Sequence, residues 1–283
     1  MELKWINRFL LMPATAWFLV MLVLPLLVVL VFSFGERGAA GGYVPAFTFD
    51  QYLNLPARLT AFKNTLVLAP LGALAALLVA YPLAYFLAVR VSPKFRTVLL
   101  VMVIVPFWTS ILIRTYAWIF ILGGRGLPQV LDFLGYADVR LINTPFAVLI
   151  GIIYGYLPLM VFPIYVSLEK LDKRLLEASY DLGAPPLRTF LQVTLPLSIP
   201  GIATGCMLVF ILLMGEFLIP ALLGGGKVFF IGNALVDLFL QSRNWAYGSA
   251  VATTLVGVML VTVTLYMRLI MRGAGQRDDI SLL

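Results

Sequence analysis

The sequence predicts an all-α integral membrane protein with six transmembrane helices, on three observations. Of its 283 residues, 62% are hydrophobic and only 12% are charged, whereas soluble domains carry about 25% charged residues. The apolar residues form long unbroken runs, not the alternation over about 10 residues that a barrel strand would show. Six of these runs, near 9–33, 64–89, 98–122, 144–167, 198–222 and 247–270, can each cross a hydrocarbon core of about 30 Å. A single transmembrane domain over 1–283 is therefore expected.

The first run follows Lys4 and Arg8. It is longer than a signal-peptide core and no small-residue cleavage site follows it closely, so it reads as an uncleaved anchor. The runs carry many prolines: Pro25, Pro70, Pro82, Pro106, Pro158, Pro163, Pro200 and Pro220. Each removes an intrahelical hydrogen bond and predicts a bend. Gly151 with Gly155, and Gly201 with Gly205, allow close backbone approach in the fourth and fifth runs. Packing within the chain is the expected use of both pairs, ahead of a subunit contact.

Orientation follows from the basic residues. With the N-terminus cytoplasmic, the inner segments hold Lys4, Arg8, Arg90, Lys94, Arg96, Lys170, Lys173, Arg174, Arg188, Arg268, Arg272 and Arg277, and the outer ones hold Arg37, Arg58, Lys63, Arg125, Arg140, Lys227 and Arg243. Twelve against seven favours both termini inside. The same bias accounts for the net charge of +7 without a nucleic-acid partner. Three outer loops remain: 34–63, 123–143 with a helix-like LPQVLDFLGY, and 223–246 with an amphipathic stretch around Asp237.

Composition also excludes chemistry. The chain has no His and one Cys, Cys206, inside an apolar run, so metal, haem and redox centres have few ligands and a Ser-His-Asp triad cannot be built. GGGKV at 224–228 lacks the first glycine and the Ser or Thr of a phosphate-binding loop. No catalytic residue and no cofactor is expected in this chain, and any ATP and Mg would sit on other subunits.

One long polar interval lies on the inner side, from Leu168 to Pro196. Asp172 suits a helix N-cap, and Leu175, Ala178, Ser179 and Leu182 fall on one helical face. Gly183 stands where a left-handed C-cap residue is wanted, and Pro185-Pro186 begins a second helix. So polar an elbow lies outside the bilayer core, and a soluble partner would cover its apolar face. The bland alternative is an amphipathic hairpin resting on the membrane surface.

Two ionisable residues lie deep in apolar sequence, Arg114 and Glu216, at similar depth in the outer half. A central charge costs about 2.5–3.5 kcal/mol on insertion scales, so each needs a partner or water. They are expected either to pair with each other or, for Glu216, to face a cavity and meet a cationic solute; the two can coexist. Phe107, Trp108, Tyr116 and Trp118 cluster at that depth, with Trp245 and Tyr247 near the sixth run. A ring face holds an alkylammonium group by cation–π attraction, which makes Trp108 and Tyr116 candidates for a solute path. Trp118 and Trp245, near run ends, fit an interfacial belt. Asp237 is a candidate for meeting either a cation or a binding protein.

Glu177-Ala178-Ser179, Gly183 and Val193-Thr194-Leu195-Pro196 keep the spacing of the coupling loop of ABC-importer permeases, with Ser179 for its second alanine and Val193 for its isoleucine. VPFWTSILIRTYAW (105–118), AYPLAYFLA (80–88), SLEKLDKRLLEASYDLGA (167–184), GEFLIPALLGGG (215–226), FTFDQYLNL (47–55) and RNWAYGSA (243–250) extend the likeness over nearly the whole chain. It resembles the PotB-type permease subunits of bacterial spermidine/putrescine (polyamine) ABC importers. The resemblance implies a type I, MetI-like fold in the bacterial inner membrane, with Glu177, Ala178, Ser179, Asp181, Gly183, Ala184, Leu195 and Pro196 in the ATPase-coupling loop. It also implies a pair of ATPase subunits, a second related permease and a periplasmic polyamine-binding protein.

Two alternatives stay open. The same machine could carry an opine or amino-acid conjugate, since Arg114 and only 13 acidic residues suit a polycation poorly. An ion-coupled secondary transporter working alone is the other, against which the elbow and the scarcity of intramembrane carboxylates count.

Overall fold

In the computed structural model, which describes residues 2–278, helix dominates. α1 (Glu2–Phe32) leads into a small hairpin, β1 (Glu36–Arg37) antiparallel to β2 (Tyr43–Val44), then α2 (Asp50–Leu53) and a 3-10 turn at Leu55–Arg58. α3 (Leu59–Tyr85) ends in a π-turn at Phe86–Arg90. α4 (Pro93–Trp108), α5 (Ile111–Leu122), α6 (Leu127–Phe133) and α7 (Pro145–Glu169) follow. The polar interval forms α8 (Lys173–Asp181) and α9 (Pro186–Thr189), and a π-turn at Phe190–Thr194 opens α10 (Leu195–Met214). α11 (Leu218–Leu223), α12 (Ile231–Val236), a π-turn at Asp237–Gln241 and α13 (Trp245–Asp278) complete the chain.

Among the described residues, five helical stretches are long and apolar enough to cross a membrane: Leu11–Phe32, Leu55–Arg90, Pro145–Glu169, Pro186–Met214 and Trp245–Arg268. A sixth is reached only by taking two bent helices together, as a broken span or a re-entrant loop. Pro93–Trp108 and Ile111–Phe133 meet at an angle of 88°, so the run expected over 98–122 turns far more sharply just after Pro106 than the bend its proline predicts. Pro106 lacks the N–H that would hold the last turn of α4, and Thr109 and Ser110 are extended. The fifth span also stops early, at Met214 instead of 222, because Gly215 and Phe217 leave helical geometry before α11 restarts. Pro25, Pro70, Pro82, Pro158, Pro163 and Pro200 lie inside continuous helices.

The described chain divides into two compact units, 2–59 with 234–260 and 60–233 with 261–278. In the first, α1 leaves the apolar side chains of 11–32 largely exposed, as a helix among acyl chains or foreign helices does. Past its end, Ser33 is buried and bonds Tyr52 Oη at 2.7 Å, and Phe34, Phe47, Phe49 and Tyr52 form an aromatic cluster. Gly41, at φ +87°, packs against Arg243, whose carbonyl accepts from the Gly42 N–H at 2.7 Å.

In the second unit the most extensive helix pair is α7 with α10. Gly201 and Gly205 explain its closeness. A Cβ on Gly201 would lie 2.5 Å from the Pro163 carbonyl oxygen, and one on Gly205 would lie 2.9 Å from Met160 Sδ. Gly151 and Gly155 receive Ile219 of α11 in the same way. Both pairs therefore pack within the chain, as expected. Gly72 lets α3 approach Ile152 of α7.

Candidate functional site

The elbow forms as its residues dictate. Asp172 accepts the Arg174 N–H at 3.0 Å and starts α8. Gly183 takes φ +75°, and the bonds Gly183 N–H to Tyr180 O and Ala184 N–H to Ser179 O close a Schellman turn. Pro185 then caps α9, with Pro186 in its first turn. Ser179, the departure from alanine, has a use: its Oγ lies 2.9 Å from Thr189 Oγ1, tying α8 to α9. Phe190 is held edge-on by Tyr81 and Tyr85 of α3. Between these fixed points the apolar side chains of the elbow are bare. Leu182 is 87% exposed, and Leu175, Tyr180 and Leu187 are also exposed. Glu177, Ala178, Asp181 and Ala184 lie on this elbow, and Leu195 and Pro196 begin α10.

Glu216 sits in the three-residue break between α10 and α11 and is 7% exposed. Its Oε1 accepts from the N–H groups of Leu218 (2.8 Å) and Ile219 (3.2 Å), so it caps α11. Its Oε2 accepts the Tyr156 hydroxyl. Around it, Asn233 donates to Phe217 O and accepts from Phe230 N–H, and Thr65 Oγ1 accepts from Ile231 N–H. The carboxylate is thus satisfied by its own chain.

The expected Arg114–Glu216 ion pair is not formed. Among the described residues the ion pairs are Arg58–Asp237 and Arg96–Glu169, each at 3.0 Å. Arg114 lies instead between two rings, with Cζ 5.6 Å from the centroid of Phe107 and 6.0 Å from that of Tyr154. Its Nε is buried without a hydrogen-bond partner among the described residues, beside a cavity of about 220 Å³ lined also by Met102, Leu157 and Pro158. The physical reason is the break at Thr109–Ser110. It redirects α5, while Glu216 turns to the unpaired N–H groups that the second break creates.

Trp108 is 79% exposed at the end of α4 and Tyr116 is 50% exposed on α5. Trp118 packs edge-on against Tyr154. Asp237, in the first unit, is held by Arg58. Three participants were not singled out from sequence: Tyr156, Arg96 and Glu169. A tyrosine in the middle of an apolar span needs a partner for its hydroxyl, and that signal was available for Tyr156.

Comparison with known proteins adds to this geometry. The profile of the family described as "Binding-protein-dependent transport system inner membrane component" matches residues 80–275. The chain is 41% identical over 258 residues to the spermidine/putrescine transport system permease protein PotB of Haemophilus influenzae, covering 89% of this chain and 90% of that one. It is 42% identical over 257 residues to the PotB protein of Escherichia coli, covering 89% and 93%. Among solved structures, a bacterial alginate ABC transporter in complex with an alginate pentasaccharide-bound periplasmic protein aligns with a TM-score of 0.75 at 20% identity. That alignment covers 94% of this chain and 93% of the other, and it shows the fold.

Proposed function

This chain belongs to the family of inner membrane components of binding-protein-dependent transport systems, and on that premise we propose that it is the permease subunit of an ATP-driven polyamine importer. The observation that carries the substrate class is about 41% identity over 89% of the chain to spermidine/putrescine permeases. In this reading two ATPase subunits dock on the elbow, a second related permease completes the translocation path, and a periplasmic binding protein delivers spermidine or putrescine. ATP and Mg belong to the ATPase subunits, and this chain makes and breaks no covalent bond. Both termini lie in the cytoplasm, in keeping with the basic-residue bias. Nucleotide-driven closure of the ATPases moves the elbow, and the bundle changes the side to which its cavity opens.

Within the path we assign Trp108 and Tyr116 to the cation, because their rings are exposed. Glu216 and Asp237 shape the wall through their present bonds, and meet the cation only if those bonds open during the cycle. A second reading, in which the solute is an opine or amino-acid conjugate, draws on Arg114: an intramembrane cation with no ion-pair partner among the described residues suits a solute bearing a carboxylate. One experiment separates the readings. The complex is purified with its co-expressed neighbours, and spermidine, putrescine and an opine are compared for stimulation of ATP hydrolysis. Stimulation by the polyamines supports the first reading and by the opine the second; stimulation by none of them overturns both.

A further inference from the structure

The elbow is joined to the bundle by a polar knot outside the coupling motif. Arg96 is the fourth residue of α4. Its Nη1 donates to Glu169 Oε1 at 3.0 Å, and its Nη2 donates to the Ala88 carbonyl at 3.0 Å, with the Val91 carbonyl at 3.5 Å. Those carbonyls belong to the terminal turn of the α3 stretch, where a cation answers both the orphan acceptors and the helix dipole. Glu169, the last residue of α7, also accepts the Tyr165 hydroxyl at 2.6 Å. One guanidinium therefore ties together the end of α3, the start of α4 and the end of α7. The rigid planar fork of arginine can hold several acceptors in fixed directions, which a lysine cannot.

The knot lies close to the moving part. Only Lys170 and Leu171 separate Glu169 from Asp172, the cap of α8. Arg96 and Glu169 share the wall of a cavity of about 310 Å³ with Leu176 and Glu177 of α8. The Arg96 Nε is buried and unpartnered among the described residues, so the guanidinium keeps its Nε–H donor in reserve. At the other end of the elbow, Phe190 is seated on α3. α3 thus receives both ends of the elbow, one through aromatic packing and one through Arg96.

We propose that Arg96 is a positioning residue of the transport cycle, carrying displacement of α8 through Glu169 into the ends of α3 and α4. The inference rests on the ATP-driven reading above. The test uses the complete complex in phospholipid nanodiscs, with spermidine-loaded binding protein, comparing wild type with Arg96→Gln, Glu169→Gln and Arg96→Lys. Three quantities are read: complex recovered, basal ATP hydrolysis, and the ratio of stimulated to basal hydrolysis. Arg96→Gln and Glu169→Gln are expected to assemble normally while the ratio falls about tenfold, within the range of coupling between linked sites. Arg96→Lys, which keeps the charge but not the fork, is expected to restore part of it. Glu169→Gln leaves the bonds from Arg96 to α3 in place, so it decides the matter if Arg96→Gln does not assemble. An unchanged ratio overturns the inference, as does a loss of assembled complex with the remainder at the wild-type ratio or a failure of both glutamine variants to assemble, since those mark a purely structural role. Absence of stimulation in wild type would instead overturn the ATP-driven reading.

Discussion

At Glu216 a buried carboxylate accepts two backbone N–H groups and one tyrosine hydroxyl. Glu216→Ala removes the acceptor from all three, at about 1–3 kcal/mol for each buried donor left unpaired. A clear drop in the thermal unfolding midpoint of the purified complex is expected. Glu216→Gln keeps an acceptor for α11, and its amide can donate to the Tyr156 oxygen, so the midpoint should stay near wild type. With the cap intact, uptake by Glu216→Gln is expected to stay near wild type as well; collapsed uptake at unchanged stability would assign the carboxylate to the solute. For the exposed rings, Trp108→Ala should weaken apparent solute affinity by an amount within the cation–π range of about 0.5–2 kcal/mol. Concentration-dependent uptake in cells measures it, and unchanged affinity removes Trp108 from the path.

At the scale of elements, glycine sets how closely helices approach and where one can turn. Gly201 faces backbone as well as side chain: a Cβ would lie 2.5 Å from both the Pro163 carbonyl oxygen and Ser167 Cβ. At Gly151 the nearest atoms are side-chain atoms of Leu223 and Ile219, which can give way. Gly201→Ala should therefore destabilise the α7–α10 pair by about 1–3 kcal/mol, the usual cost of overpacking, and Gly151→Ala by less. Unfolding midpoints of the two variants check the order. Gly183 differs again, since nothing lies within 4 Å of a Cβ there and the demand is its φ of +75°. Proline is confined to about −65°, so Gly183→Pro should abolish ATP-dependent uptake while leaving the protein in the membrane. Retained pumping in that variant would show that the elbow geometry does not matter.

For the whole molecule, the exposed Leu182, Leu187 and Tyr180 on the elbow and the bare stretch 11–32 of α1 mark a chain that leaves much apolar surface to others. Under the proposed function, uptake should stop when ATP is depleted and ATPase subunits should co-purify. Uptake that persists without ATP, from a chain that purifies alone, would favour a secondary transporter. The resemblance drawn from the elbow is borne out by relatives matching 89% of the chain.

Spans, elbow, caps and glycine pairs were legible in the sequence because each depends on a local property: hydropathy over about 20 residues, a side chain next to its own backbone, or the absence of a Cβ. Asp172, Gly183 and Pro186 do in three dimensions what their positions in the chain dictate. The partners of Arg114, Glu216, Arg96 and Asp237 were decided only by tertiary structure. A charge inside a membrane must find an answer, but which one depends on where helices break and cross. The breaks after Trp108 and Met214 turned Glu216 toward Tyr156 and the start of α11, and left Arg114 between two rings. Spacing along the chain states that such a need exists; only the three-dimensional path of the backbone determines what meets it.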